Sequence, residues 1–324
     1  MQMKQVKYSF YLSCFVLAAL LTGCDSDENI VEGQRDKRLS DTELQLLQNT
    51  NTNTNTNTKQ FLFGFDLRSG PQEDARQYLP FLKYLEEKTG YQFKLRFTPK
   101  DGKIVDDLGK GKIHFAAIGA VSYIQAAESY GVKPLVRGLN TADKAEYRSM
   151  IIVKPNSRLR KLTDLKGKNV AFGSITSTQG HLIPRIELSK NKLLLSDLAS
   201  YEYTGSHQKC ADAVISGRFD ACGLQDTMAK ELEQRGIVHI ISRSDYYPSS
   251  GIAANKNISG DVLLKIKQAM LGFQPIGRDA VRLYNWHKTE MPNGFVAAQE
   301  DDYLLLRNWL VKLGLLKADT GSKK

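Results

Sequence analysis

The sequence predicts an α/β protein built of two doubly wound lobes, and three observations carry that prediction. Segments with strand periodicity alternate with segments of helical periodicity from residue 61 to residue 242. The part able to fold, residues 59–318, is about 260 residues long, large for one core and natural for two. Strand ends run directly into turns that open the next helix, as in mostly parallel sheets, where ligands sit at the carboxyl ends of strands beside helix N-termini.

In chain order, "FLFGFDL" (61–67) is the first strand candidate. In "QYLPFLKYLEEKTG", Tyr78, Phe81, Leu82 and Leu85 follow the i, i+3, i+4, i+7 spacing of a buried helix face, and Gly90 stops the helix. "YQFKLRF" alternates Phe93, Leu95 and Phe97 on one face, as a strand does. "HFAAIG" (114–119) is a short apolar strand followed by a helix from about Ser122. "RSMIIVKP" (148–155), "KNVAFG" (168–173), "FDACGL" (219–224) and "IVHIIS" (237–242) are further strands, with helices between most of them. "DVLLKIKQAMLGF" and "DDYLLLRNWLVKLGLL" are helices near the C-terminus.

The first 58 residues read differently. Residues 1–23 carry Lys4 and Lys7 ahead of an apolar run from Phe10 to Leu21, the pattern of a signal peptide. The run is short for a membrane span. It ends in "LTGC", which resembles the lipobox of bacterial lipoproteins and implies cleavage before Cys24 and lipid on that cysteine. Asp25, next in line, resembles the residue that holds such proteins at the inner membrane. Residues 25–58, ending in "NTNTNTNTNT", have almost no apolar surface to bury and read as a disordered tether. Its reach is roughly 30–35 Å on the flexible-linker scale.

The formal charge of +10 falls to +8 when Lys4 and Lys7 leave with the leader. A mild basic excess suits anionic ligands or lipid headgroups. It is spread along the chain, so no nucleic-acid partner is read from it. Cys210 and Cys222 have no metal-type spacing with histidines, which argues against a zinc site. They are read either as a bridge formed in an oxidising compartment or as two buried thiols. No cofactor motif, G-x-S-x-G elbow or nucleophile–base pattern is present, so the chain does not read as an enzyme.

The most informative stretch is "GSITSTQGHLIP" (173–184), between a predicted strand and a predicted helix. Ser174, Thr176, Ser177 and Thr178 crowd four hydroxyls into five positions. A helix start exposes unpaired N–H groups and the positive end of the dipole. Hydroxyls add donors, and Gly180 lets a backbone come close, so the turn suits a tetrahedral oxyanion. A hydroxyl-rich helix cap without a ligand has the same composition. Pro184 has no N–H for the carbonyl of Gly180, so the helix should begin or bend there.

That stretch resembles the hydroxyl-rich segment of the periplasmic binding proteins of phosphate, phosphite and phosphonate ABC importers. The resemblance extends over about residues 60–275. It is carried also by "FGFDLRSGPQ", "FLKYLEEKTGYQ", "GKGKIHFAAIGAVSYIQA" and "GSHQKCADAVISGRFDACGLQD". It implies a type II periplasmic-binding-protein fold, two α/β lobes joined by two crossing strands with the ligand in the cleft between them. Lobe one would be 59–147 plus 252–324 and lobe two 148–251, closing by hinge motion around the ligand.

The resemblance also implies site residues. Ser177 and Thr178 match the Ser-Thr pair that donates to the anion, while Gln179 stands where the family often has a second serine. Tyr123 matches a ligand-contacting tyrosine, His207 an anion-binding histidine and Asp226 an acid that meets an amino group or a ligand hydroxyl. Asp66 and Arg68 follow the first strand, where the family usually differs, and are candidates by position. No metal or cofactor is implied. The expected protein is a monomer on the periplasmic side of the cell membrane, lipid-anchored, handing a phosphonate, phosphite or phosphate to an ABC permease. The other reading is a lipoprotein that presents the bound anion to a membrane sensor kinase.

Overall fold

The computed structural model describes residues 59–99 and 102–317. The expected leader 1–23, Cys24 and the tether 25–58 lie outside the described residues. The first part of the chain forms β1 (Gln60–Phe65), α1 (Pro71–Thr89), β2 (Gln92–Leu95), α2 (Ile104–Gly109), β3 (Phe115–Ile118), α3 (Ala120–Tyr130) and β4 (Lys133–Gly138). A short β5 (Glu146–Tyr147) leads to β6 (Ser149–Val153), β7 (Asn169–Phe172), α4 (Ile183–Lys190), β8 (Ser200–Tyr203), α5 (His207–Ile215), β9 (Ala221–Gln225), α6 (Asp226–Gln234) and β10 (His239–Arg243). A short β11 (Tyr247–Pro248) then returns the chain to β12 (Gly251–Ala254), α7 (Gly260–Leu271), β13 (Phe295–Ala297) and α8 (Leu304–Lys312).

These strands make two large sheets. One has the order β13-β4-β12-β3-β1-β2 and the other β10-β6-β9-β7-β8. Each is covered on both faces. Phe63, Phe81, Trp286 and Phe295 belong to the core on one side of the first sheet; Leu108, Ile118, Ile124 and Leu306 belong to the core on the other. The second sheet has its own pair of cores, one around Ile152, Val214 and Leu224 and one around Val153, Phe172 and Leu188. The chain passes between the sheets twice, and the two crossings pair antiparallel as β5 and β11, Tyr147 opposite Tyr247.

The sheets are mixed, which corrects the expectation of mostly parallel ones. β1 pairs parallel with β2 and β3, and β7 with β8 and β9. β12 runs antiparallel to β3 and β4, and β6 antiparallel to β9 and β10. The cause is the double crossing. A strand entering either lobe from the other starts at the cleft and runs against neighbours whose carboxyl ends point there. The C-terminal helix is also shorter than expected, because a 3₁₀ turn over Glu300–Tyr303 precedes α8.

Local chemistry fixes the segments around the cleft. Gly70, at φ 132, turns the chain into α1 with Pro71 in its first turn, where a missing N–H costs nothing. The buried carboxylate of Asp74 accepts from the N–H groups of Arg68, Ser69 and Gly70 at 2.8, 3.1 and 3.3 Å, which pins the loop after β1. In the second lobe a π turn over Thr178–Leu182 precedes α4. The Gly180 carbonyl that Pro184 cannot serve accepts instead from the Gly173 N–H at 2.9 Å. A Cβ on Gly180 would lie 2.8 Å from Ser177 Oγ and 3.0 Å from His207 Cε1, so this turn can approach α5 only with glycine there. Cys210 of α5 and Cys222 of β9 form a disulfide, with Cα atoms 5.9 Å apart.

Candidate functional site

A pocket of about 350 Å³, counted with its open mouth, lies where the two lobes face each other. The first lobe contributes Asp66, Leu67 and Arg68 from the loop after β1, Gly119 at the start of α3, Ser250 and Glu290. The second contributes Ser174, Ser177, Thr178 and Gln179 from the hydroxyl-rich turn, with Ser206 and His207 at the start of α5. Tyr147 reaches in from the crossing.

Six of the expected site residues are therefore together: Asp66, Arg68, Ser177, Thr178, Gln179 and His207. Tyr123 does not line the pocket. Its ring packs against Tyr303, centroids 4.4 Å apart, in the core under α3. Asp226 also stands back from the pocket. Its Oδ1 accepts from Gln179 Nε2 at 3.2 Å, and that same nitrogen donates to the Arg148 carbonyl at 2.8 Å. Asp226 thus holds Gln179 in place.

The hydroxyls keep their protons available. Ser177 Oγ accepts from Gly180 N at 2.9 Å, and Ser206 Oγ from Lys209 N at 3.2 Å. Thr178 Oγ1 accepts across the cleft from Val121 N, in the first turn of α3, at 3.0 Å. An oxygen used as acceptor leaves its own O–H free to donate.

The charged groups sit in the first lobe's wall. Asp66 Oδ2 accepts from Gly119 N at 2.9 Å and from Ser122 Oγ at 3.0 Å, so a carboxylate rests on the N-terminus of α3. Burial pushes the Asp66 carboxyl above its ordinary range, against the pull of Arg68. Arg68 donates through Nη1 to the Asp66 carbonyl at 2.7 Å and through Nη2 to Glu290 Oε2 at 2.8 Å. Burial alone would push the Glu290 carboxyl up; Arg68 outweighs it and holds the group below its ordinary value. Burial lowers the His207 imidazole to about 4, so it is neutral at neutral pH.

Several polar atoms around the pocket have no partner among the described residues. They are Arg68 Nε, Gln179 Oε1, His207 Nδ1 and the Tyr147 hydroxyl, which lies near Thr178 and Ser250 without a well-formed bond to either. Buried polar groups are normally paired. Four unpaired ones around one cavity mark the place a polar ligand would complete. Glu290, Ser250 and Tyr147 were not found in the sequence. Glu290 reaches Arg68 across 222 positions, with no periodicity or motif of its own. Tyr147 carried one usable signal, an aromatic ring inside the linker between lobes.

Among the described residues no group of three or more His, Cys, Asp or Glu side chains could hold a metal ion. No described helix is long and apolar enough to cross a membrane.

Two α/β lobes, two crossing strands and a polar cleft between them define a type II periplasmic binding protein. Solved structures share that fold. PhnD1 from Prochlorococcus marinus (MIT 9301) in complex with methylphosphonate matches with a TM-score of 0.72 over 80% of this chain and 99% of that one, at 17% identity. A binding protein component of an ABC phosphonate transporter from Pseudomonas aeruginosa matches with a TM-score of 0.70 over 82% and 91%, at 20% identity. The family model of the ABC transporter phosphonate periplasmic substrate-binding protein matches residues 63–303, and the chain belongs to that family. It is 25% identical over 225 residues to the phosphonates-binding periplasmic protein of Escherichia coli (strain K12), a stretch that takes in 66% of each chain. It is 26% identical over 156 residues to a probable ABC transporter phosphite binding protein of Prochlorococcus marinus (strain MIT 9301), 46% of each. The chain thus spans 66% and 46% of the lengths of these two relatives.

Proposed function

We propose that the protein captures a small phosphorus oxyanion, a phosphonate, phosphite or phosphate, in the interlobe pocket and delivers it to an ABC permease. The observation that carries this is the ring of unpaired polar atoms on Arg68, Tyr147, Gln179 and His207 beside the free hydroxyls of Ser177 and Thr178. The anion accepts hydrogen bonds from Ser177, Thr178 and Tyr147, a charge-assisted bond from Arg68 Nε and one from the neutral His207. Gln179, steadied by Asp226, sets the depth of the second lobe's wall. Nothing is asked of these groups beyond binding and release, so no reaction is assigned to the site.

In this reading residues 59–147 with 252–324 move as one lobe and 148–251 as the other, about the β5–β11 pair. Thr178 bonds to α3 of the first lobe while its proton points to the ligand, so capture and closure are linked. The protein works as a monomer, tethered by lipid on Cys24 at the periplasmic face of the membrane. Cys24→Ser should abolish lipid labelling; unchanged labelling would remove the anchor from this account.

The ligand reading is tested by a melting screen of the mature chain against phosphate, phosphite, methylphosphonate and sulfate. A ligand at about 100 times its dissociation constant adds roughly 2.7 kcal/mol of stability. A clear rise with at least one phosphorus oxyanion is expected. No rise with any of them, at millimolar concentration and at both mildly acidic and neutral pH, would overturn the reading.

A further inference from the structure

The formal charges that line the pocket do not suit a fully ionised phosphorus oxyanion. Asp66 and Glu290 bring two negative charges, Arg68 one positive, and His207 is neutral. Glu290 is matched by Arg68 at 2.8 Å, with both side chains under 10% exposed (8% for Arg68, 7% for Glu290). Asp66 is the unmatched charge. Both of its side-chain hydrogen bonds end on Oδ2, leaving Oδ1 as an acceptor without a donor among the described residues. This carboxylate also occupies the N-terminus of α3, where an incoming anion would otherwise find N–H groups; of the next two, that of Ala120 faces the Tyr147 hydroxyl and that of Val121 is taken by Thr178.

From this arrangement, and resting on the phosphorus-oxyanion reading above, we infer that the ligand binds with an acidic proton still on it. Asp66 accepts that proton in a hydrogen bond and is the residue that sets specificity. The favoured substrate class is the monoanionic hydrogen-phosphonate or hydrogen-phosphate form, or phosphite while it keeps its proton. Dianions are repelled by Asp66. Oxyanions with no proton to give, sulfate and sulfonates, leave its lone pairs facing their own oxygens. Two charges at this range in a partly desolvated site repel strongly, whereas an O–H donated to a carboxylate is among the stronger hydrogen bonds.

The groups facing Asp66 are few. Arg68, Glu290 and Tyr78 act on it directly, while Asp74 and His207 act on Arg68 and Glu290. Burial raises the Asp66 carboxyl from its ordinary value, in keeping with a group that gains by sharing a proton. His207 loses its charge only well below neutrality, so it contributes no step in the neutral range.

Calorimetric titration of the mature chain at constant ionic strength, at about pH 6 and about pH 8.5, tests this with methylphosphonate and methanesulfonate. The two probes share a shape and, at the lower pH, a charge; only the phosphonate has a proton to donate. Methylphosphonate should weaken by about tenfold for each pH unit above its second ionisation, which lies above the value near 6 of phosphate monoesters because carbon on phosphorus withdraws less than an ester oxygen. Methanesulfonate should be at least about 100-fold weaker than methylphosphonate at the lower pH, the value of one lost charged hydrogen bond with a lone-pair clash added. Asp66→Asn, whose amide can donate, should lose most of the pH dependence and narrow the gap between the two probes.

Constant methylphosphonate affinity across this range, or methanesulfonate within tenfold of it, would overturn the proton reading and leave the phosphorus-oxyanion reading standing. Binding of 2-aminoethylphosphonate without binding of methylphosphonate would overturn it too, by giving the excess carboxylate an ammonium partner. Failure of every phosphorus oxyanion at both pH values would instead remove the proposed function itself. The parent-protein measurements decide the matter even where the asparagine variant does not fold.

Discussion

Thr178 serves two lobes with one hydroxyl. Its oxygen takes the Val121 N–H at 3.0 Å and its proton is left for the cavity. Thr178→Val keeps the shape and removes both bonds. Affinity for the anion should fall about 10- to 100-fold, the worth of one hydrogen bond to a charged group at roughly 1.5–3 kcal/mol. The empty variant should melt close to the parent, because water reaches Val121 when the lobes part. A large loss of empty-state stability without loss of affinity would make Thr178 only a helix cap. A second residue-scale effect concerns two buried imidazoles. His181 and His207 are lowered to about 4 by burial, against an ordinary value near 6.5. Between those values the unfolded chain takes up protons that the native protein refuses, so stability falls as pH falls through the window. The loss is on the order of 2 kcal/mol for each group by about pH 4.5. The raised carboxyls of Asp66 and Asp74 act in the opposite sense and offset part of it. Melting temperature followed from pH 7 to pH 4.5 should drop in the parent and drop less in His181→Gln; parallel curves would refute the assignment. Much of the pocket wall was legible at this scale because Ser177 and Thr178 sit in a local pattern that marks a helix start, while His207 came from the family resemblance. Tyr123 shows the limit. A helix start presents side chains in every direction, and only the packing of α3 on Tyr303 decides which one meets the cavity.

Among the elements, α5 carries the most consequence. Ser206 caps it, His207 opens it, and one turn later Cys210 bonds it to β9 through Cys222. The sequence left bridge and free thiols as alternatives, since spacing alone does not bring a helix onto a strand; the fold does. Closing a loop of about 13 residues contributes roughly 3 kcal/mol in the chain-entropy account. Replacing both cysteines by alanine should therefore lower the melting temperature by several degrees. It should also weaken anion binding, because the helix that aims His207 is no longer fastened to β9. A lower melting temperature with unchanged affinity would show that β9 packing alone positions the helix. Strands and helices with clear periodicity, such as β1, α1 and β6, were readable in advance. The direction in which β6 and β12 enter their sheets was not, because strand direction depends on where the chain comes from and not on its side chains.

On the scale of the whole molecule, Leu182, Ile183 and Ile186 of the second lobe share a core with Val121 and Ile124 of the first. This is apolar contact between lobes, and any opening of the cleft has to part it. Hinge motion about the β5–β11 pair is the simplest way to part it. Small-angle scattering should show a smaller radius of gyration with saturating anion than without. An identical radius, with binding verified separately, would argue for a pocket that admits its ligand without opening. The two lobes also differ in how the chain supplies them. All five strands of the second lobe's sheet come from one continuous stretch, β6 to β10, whereas the first lobe's sheet waits for β12 and β13. Synthesis runs from the N-terminus, so the second lobe can fold on a nascent chain while the first is still half made. Arg68 emerges early and Glu290 late. For most of synthesis, then, Arg68 lacks the carboxylate it pairs with at 2.8 Å, and the full charge pattern of the cleft exists only once the chain is nearly finished. A fragment that stops at the second crossing would carry the hydroxyl-rich wall and Asp66, yet leave Arg68 without the carboxylate that neutralises it.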